Sequence, residues 1–277
     1  MSHPSQNSLI DAAIAVLKSA DPVDKCTAAA RADALRANGA PSTNFHTQPL
    51  EKPARPTKPI LIPPGDVVRR KLGSPEGRIA LLHAVAHIEF NAIDLAFDMA
   101  ARFSASIDTE GLDAAEFVAD WTRIGGEEAR HFGLIEARLA DLGAAYGDLP
   151  AHNGLWEAAE ATRENVLARL AIAPLILEAR GLDVTPAMID RLRDAGDDAS
   201  AGVLAIIYQE EIGHVACGKR WFDAVCAARD LDPNKTFGIL RQEYYPGRLK
   251  PPFNHVAREQ AGLTRAFYEP IGNENSV

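Results

Sequence analysis

The chain has 277 residues, 47% of them hydrophobic and 24% charged, with a formal net charge of -9. That length suits one large domain or two modest ones. No stretch approaches about 18 uncharged apolar residues, which excludes a transmembrane helix, and the start, MSHPSQNSLIDAAIAV, lacks the parts of a secretion signal. The three cysteines, Cys26, Cys217 and Cys226, are scattered and form no CxxC. They exclude a disulfide framework and a thiolate zinc site and point to a reducing, cytoplasmic compartment. The acidic balance disfavours broad binding to nucleic acid or anionic membrane.

Charge and proline divide the chain into an N-terminal segment (1–75), a central body (76–230) and a C-terminal arm (231–277). Their nets are +4, -14 and +1, and eight of the 18 prolines fall between Pro41 and Pro75. The flanks read as mildly basic arms that lie against an acidic body, with disordered tails as the alternative. Near the start, SLIDAAIAVLKSA predicts a helix, and a second is predicted from about Asp24 to Ala37. Ser74-Pro75 offers an N-cap with proline at the first helical position. RIALLHAVAHIEFNAIDLAFDMAARF follows with unbroken helical periodicity. A second long pattern runs from about Asp113 to Leu142. A third runs from about Leu155 to Arg180 and ends at Gly181, with Thr185-Pro186 opening a short helix to about Ala195. The fourth runs from about Ala199 to Arg229. Strand-like alternation is nearly absent, so an all-α four-helix bundle is expected.

Glu-x-x-His occurs twice, at Glu128-Ala-Arg-His131 and at Glu211-Ile-Gly-His214. On a helix, residues three apart share a face, so each motif aims a carboxylate and an imidazole at one point. Chance alone supplies roughly 0.5 such pairs at this composition, so one motif says little. Two accompaniments change that. The motifs match beyond the ligands, as Glu127-Glu128 and Glu210-Glu211. Each of the other two long patterns also carries a glutamate in an apolar stripe. Glu89 shares its face with Leu82, Val85, Ala86, Ile93 and Ala96, and Glu178 with Ala171, Pro174, Leu175 and Leu182. Four carboxylates in one core repel each other unless protonated, paired or bound to metal. No Lys or Arg occupies those same-face positions, and two divalent cations would neutralise the set with two imidazoles completing it. Oxygen and nitrogen donors without thiolate suit two Fe ions, with Mn, mixed Fe/Mn or Zn as alternatives. The order Glu, Glu-x-x-His, Glu, Glu-x-x-His is that of ferritin-like dimetal carboxylate proteins. The expected ligands are therefore Glu89, Glu128, His131, Glu178, Glu211 and His214.

The stretches GRIALLHAVAHIEFNAIDLAFDMAARF, GGEEARHF and IYQEEIGHVACGKRWF resemble the DUF455 group of ferritin-like proteins, over most of the chain. More distantly the chain is similar to the ferritin-like tRNA hydroxylases, through the ligand motifs and Glu178-Ala-Arg180. The first resemblance implies the fold with extended arms. The second suggests an oxidative reaction without establishing a substrate.

Other residues have weaker claims. Tyr208 precedes Glu211 by one turn and is either a redox or hydrogen-bonding neighbour of the metals or, more simply, packing. Pro174 should kink its helix. His83, His87, Asn91 and Asp94 form a polar stripe away from Glu89, read as a solvated or arm-covered face rather than a His-x-x-x-His metal site. Glu127 and Glu210 are offset from the ligands and read as surface residues. The tail RQEYYPGRLKPPFNHVAREQ mixes cations and aromatics, and either packs or holds a phosphate-bearing substrate. The leading function is an O2-dependent oxidoreductase or hydroxylase acting on an organic substrate. Ferroxidase or iron storage and a non-catalytic metal-stabilised bundle are the alternatives, with tRNA modification a special case of the first. A small homo-oligomer and no membrane partner are expected.

Overall fold

A computed structural model describes residues 8–41, 45, 47–67, 70–245 and 247–269. The described residues are helical with no strand, apart from one parallel bridge between Leu61 and Ala151. The all-α bundle class expected from periodicity is the one found. The chain divides into two compact units, one formed by Met1–Glu157 with Arg191–Val203, the other by Ala158–Asp190 with Leu204–Val277.

In the first unit, α1 (Leu9–Lys18), α2 (Pro22–Ala37), α3 (Pro75–Thr109) and α4 (Ala114–Asp141) pack as a bundle. Each begins where a side chain takes up orphan backbone N–H groups. Ser8, Asp21, Ser74 and Asp113 accept from Asp11, Val23, Gly77 and Glu116 respectively. Pro22 and Pro75 stand at the first helical position, where no donor is lost. Among the described residues α3 alone has the length and composition of a membrane span, with mean hydropathy 1.3, but 67% of that window is buried inside the protein. It is the core helix of this unit.

Glycines set the closest approaches of α4. A Cβ on Gly125 would lie 2.5 Å from the ring of Phe97 on α3, and one on Gly126 would lie 2.7 Å from Asp33 on α2. The Gly-Gly pair thus lets α4 settle against two helices at once.

The Pro-rich segment is laid along this unit. Ala54 N–H donates to Leu17 O at 2.7 Å, and Ile60 and Ile62 exchange backbone hydrogen bonds with Ala151. Arg55 reaches Asp94 on α3 at 3.2 Å, opposite Lys25 of α2, whose Nζ donates to the same carboxylate at 2.5 Å. Basic flank and acidic body meet in this contact.

In the second unit the third long pattern departs from expectation. It is not one helix ending at Gly181. It is α5 (Gly154–Ala161), which starts in the first unit, then α6 (Val166–Ile172), a π-helical turn Ala173–Glu178, and α7 (Ala179–Asp194), which ends back in the first unit. The break before α6 is made by Asn165, whose side chain accepts from Ala168 N–H, and by the buried Arg169, which donates to Thr162 Oγ1 and Ala159 O. Gly181 adopts no left-handed φ, so nothing stops the helix there; Gly196, at φ 74°, terminates α7 instead.

Pro186 lies inside α7 rather than opening a new helix. A proline cannot donate to the carbonyl four residues back, here Leu182 O. Asn254 Nδ2 donates to that oxygen at 3.2 Å, which replaces the missing bond. The helix survives its proline because the C-terminal segment supplies a donor.

Within the long α8 (Asp198–Ala228), Leu204 onward belongs to this unit. Three short helices follow, α9 (Pro233–Tyr244), α10 (His255–Gln260) and α11 (Arg265–Tyr268). Arg258 donates to both oxygens of Asp183 on α7, at 2.8 and 2.7 Å, and both side chains are buried. The Arg258 end of the tail therefore packs against α7.

Candidate metal centre

The first unit gathers half of the expected ligands. Glu89 on α3 is 4% exposed, and Glu128 and His131 on α4 are 1% and 0% exposed. The three residues stand at the contact that Gly125 and Phe97 permit. His131 Nδ1 is 3.2 Å from Glu89 Oε2 and 3.4 Å from Glu128 Oε2. One donor atom from each lies within 4.8 Å of the others. The face pairing of residues three apart holds as expected.

Burial alone would lower the His131 pKa. Hydrogen bonds to Glu128 and Glu89 and the charges of both carboxylates outweigh it and raise the imidazole to about 11. The two carboxylates thus favour positive charge at the point where they converge on the imidazole. A divalent cation would meet that demand better than a proton, because it ligates both carboxylates and the neutral imidazole.

The second unit carries the other Glu-x-x-His motif. Glu211 and His214 on α8 set Oε1 and Nδ1 3.5 Å apart, with the imidazole fully buried and the carboxylate 13% exposed. Glu178 is half-buried and closes the π-helical turn that holds Pro174. Pro174 therefore deforms its helix as expected, by widening one turn instead of breaking it. π-turns inside helices recur at functional sites, where they re-aim a side chain. Gly218, one turn past His214, faces that turn, and a Cβ there would lie 2.4 Å from Pro174 Cβ. In each unit a glycine within about a turn of the Glu-x-x-His motif allows a partner element to come close. The Gly-Gly doublet before Glu127 is the sign of this in the sequence.

The remaining candidates have structural partners. Tyr208 OH accepts from Asn254 Nδ2 at 2.9 Å. Glu127 accepts two bonds from Arg123 on its own helix, at 2.9 and 2.7 Å, and Glu210 is half-buried. The His83 stripe is buried and covered, not solvated. His83 Nε2 accepts from Gly147 N–H at 2.9 Å. His87 uses both ring nitrogens, on Tyr146 OH at 2.8 Å and His152 O at 3.1 Å. Burial holds His87 neutral, with its pKa lowered to about 4.

The family profile described as "Protein of unknown function (DUF455)" matches residues 18–269. A protein of Haemophilus influenzae named "Uncharacterized protein" is 44% identical over 212 residues, covering 76% of this chain and 74% of the relative. No solved structure matches significantly.

Proposed function

The chain belongs to the DUF455 family, and we propose that it is a dimetal-carboxylate oxidoreductase that uses O2 to oxidise an organic substrate. The observation that carries this reading is the buried trio Glu89, Glu128 and His131, with donor atoms within 4.8 Å of one another. Glu178, Glu211 and His214 are the other proposed ligands. The donors are carboxylate oxygen and imidazole nitrogen without thiolate, which fits two Fe ions, or Mn with the same donors. Bound as a ferrous pair, the metals would supply the electrons that reduce O2.

The chain's own residues have separable tasks. The two Glu-x-x-His motifs each fix a carboxylate and an imidazole on one helical face. Glu89 joins the first set from α3, and the π-turn carries Glu178 at its end. Trp121, Ile124 and Phe132 flank Glu128, and all three are buried. Leu204, Ile207 and Val215 flank Glu211 and are likewise buried. These apolar walls keep water from the reacting centre.

Ferrous loading of the full chain without O2, followed by metal counting, tests the reading. Two ions per chain are expected in the wild type, with loss in both Glu128→Ala and His214→Ala. Subsequent exposure to O2 should give near-ultraviolet absorption of a ferric pair. Absence of bound metal, or unchanged stoichiometry in both variants, would sink the proposal. Metal that raises the melting temperature without O2 consumption would assign a structural role instead. A large hollow assembly in solution would assign iron storage.

A further inference from the structure

A second site lies within the C-terminal part of the chain and shares no residue with the expected metal ligands. A cavity of about 540 Å³ opens between α9, the 248–249 segment and α11. That volume is ordinary for a small-molecule site. Phe237 and Phe267 form its apolar wall, their rings 5.2 Å apart and both nearly buried. Arg241 and Arg248 also line it, the first half-buried and the second exposed. Neither guanidinium has an ion-pair partner among the described residues. Elsewhere in the chain buried guanidinium groups are engaged, as Arg258 is by Asp183 and Arg102 by Asp98.

One carboxylate, Glu269, reaches the rim. Its oxygens lie 3.7 Å from His255 Nε2 and 3.8 Å from Arg265 Nη1, so an imidazole and a guanidinium already face it. Gly238 stands on the cavity-lining face of α9, and a Cβ there would meet nothing within 4 Å. The helix therefore has open space where most residues would place a side chain. Glycine costs a helix up to about 1 kcal/mol relative to alanine, and that cost brings no packing gain here.

We propose that this cavity binds a small organic phosphate, its phosphoryl group held by Arg241 and Arg248 and its apolar part against Phe237 and Phe267. Paired guanidinium groups suit a dianion because each offers parallel N–H donors to two oxygens. A cavity of this size with an apolar wall favours a small ligand over a polynucleotide, and the net charge of -9 repels extended nucleic acid. This proposal is independent of the metal reading.

Titration calorimetry on the full chain with phenyl phosphate tests it. Saturable binding is expected with a Kd on the order of 0.1 mM, and inorganic phosphate should bind more weakly because it leaves the apolar wall unused. Arg241→Ser with Arg248→Ser should weaken binding by at least about tenfold. Gly238→Leu should abolish it while leaving the melting temperature unchanged or higher, since its side chain enters open space. No saturable binding by the wild type, or unaltered affinity in both variants, would overturn the proposal. Equal affinity for benzoate would overturn the phosphate assignment. Displacement of phenyl phosphate by a mixed-sequence RNA at 150 mM salt, with tighter binding of the RNA, would assign the cavity to nucleic acid instead.

Discussion

The Lys25–Asp94 pair makes a sharp stability prediction because its two halves have unequal insurance. Both side chains are fully buried, and Lys25 also donates to Val16 O at 3.2 Å. Burial pushes the lysine pKa down and the aspartate up, against the attraction between them. Removing one partner of a buried pair costs about 3–5 kcal/mol, because the other is left as an uncompensated charge. Lys25→Met leaves Asp94 with Arg55, 3.2 Å from its second oxygen, so the loss should fall at or below the low end of that range, about 2–3 kcal/mol. Asp94→Leu leaves an ammonium whose other contacts are one carbonyl and the face of Phe90, 5.5 Å away, so the loss should approach about 4–5 kcal/mol. The double variant removes both charges and should lose only about 1–2 kcal/mol, since apolar replacements of a buried pair are often near neutral. The coupling is then about 5 kcal/mol, far outside the additivity expected of independent sites. Urea denaturation of the four proteins, monitored in the metal-free state, measures it. A Lys25→Met cost equal to or above that of Asp94→Leu, or additive losses in the double variant, would refute the reasoning.

Three other outcomes follow from particular contacts. Gly125→Ala drives a Cβ into Phe97 and should destabilise by about 1–3 kcal/mol, reduced by up to about 1 kcal/mol of helix propensity, and should weaken ferrous binding. Gly133→Ala on the same helix meets nothing within 4 Å and should stabilise, so equal effects in thermal melts would refute the close-contact account. Because the folded His87 pKa is lowered to about 4 from an ordinary 6.5, its contribution is present above pH 6.5 and is lost as pH falls towards 4. Two to three pH units correspond to about 3 kcal/mol, and His87→Gln should flatten the fall in metal-free stability over that window. Asn254→Ala removes the α10 cap and the donor to Leu182 O, and should cost about 2–4 kcal/mol. Adding Pro186→Ala should recover part of that by restoring a backbone donor; no recovery in denaturant titrations would contradict the role given to Asn254.

Much of this was legible in the chain. The boundaries of α3, α4 and α8 follow from apolar periodicity closed by Ser, Asp and Pro signals, and the buried faces carrying Glu89, Glu128 and His131 follow from the same period. The third pattern was not legible for a specific reason. Gly181 and Pro186 are ordinary stop signals, but the first needs a left-handed φ that it does not adopt. The second needs an unmet carbonyl, which Asn254 satisfies from a distance in sequence of 72 residues. Tertiary contacts overrode local signals at both points. The cap at Asn165 is readable from the polar Thr162-Arg163-Glu164 before it, although helical spacing continues on both sides. The fate of the His83 stripe depended on Tyr146 and His152, whose loop carries no periodicity that places it.

Helix α3 carries two buried polar stripes, and their difference bears on the metal reading. On one, His83, His87 and Asp94 each meet groups of opposite hydrogen-bonding or charge character: a backbone N–H, a tyrosine hydroxyl and a carbonyl, and a lysine with an arginine. A stripe completed in this way contributes to folding and has no ring nitrogen of His87 left for a cation. On the other, Glu89 meets an imidazole that it shares with Glu128, so like charges converge on one acceptor-rich point. Folding alone would not select two carboxylates about one histidine, because an apolar core of similar volume costs less. The convergence is explained if the stripe is shaped for a bound cation, and the two stripes therefore separate by metal affinity. Substitutions at His87 should leave ferrous loading intact while lowering stability, and substitutions at His131 should abolish ferrous loading.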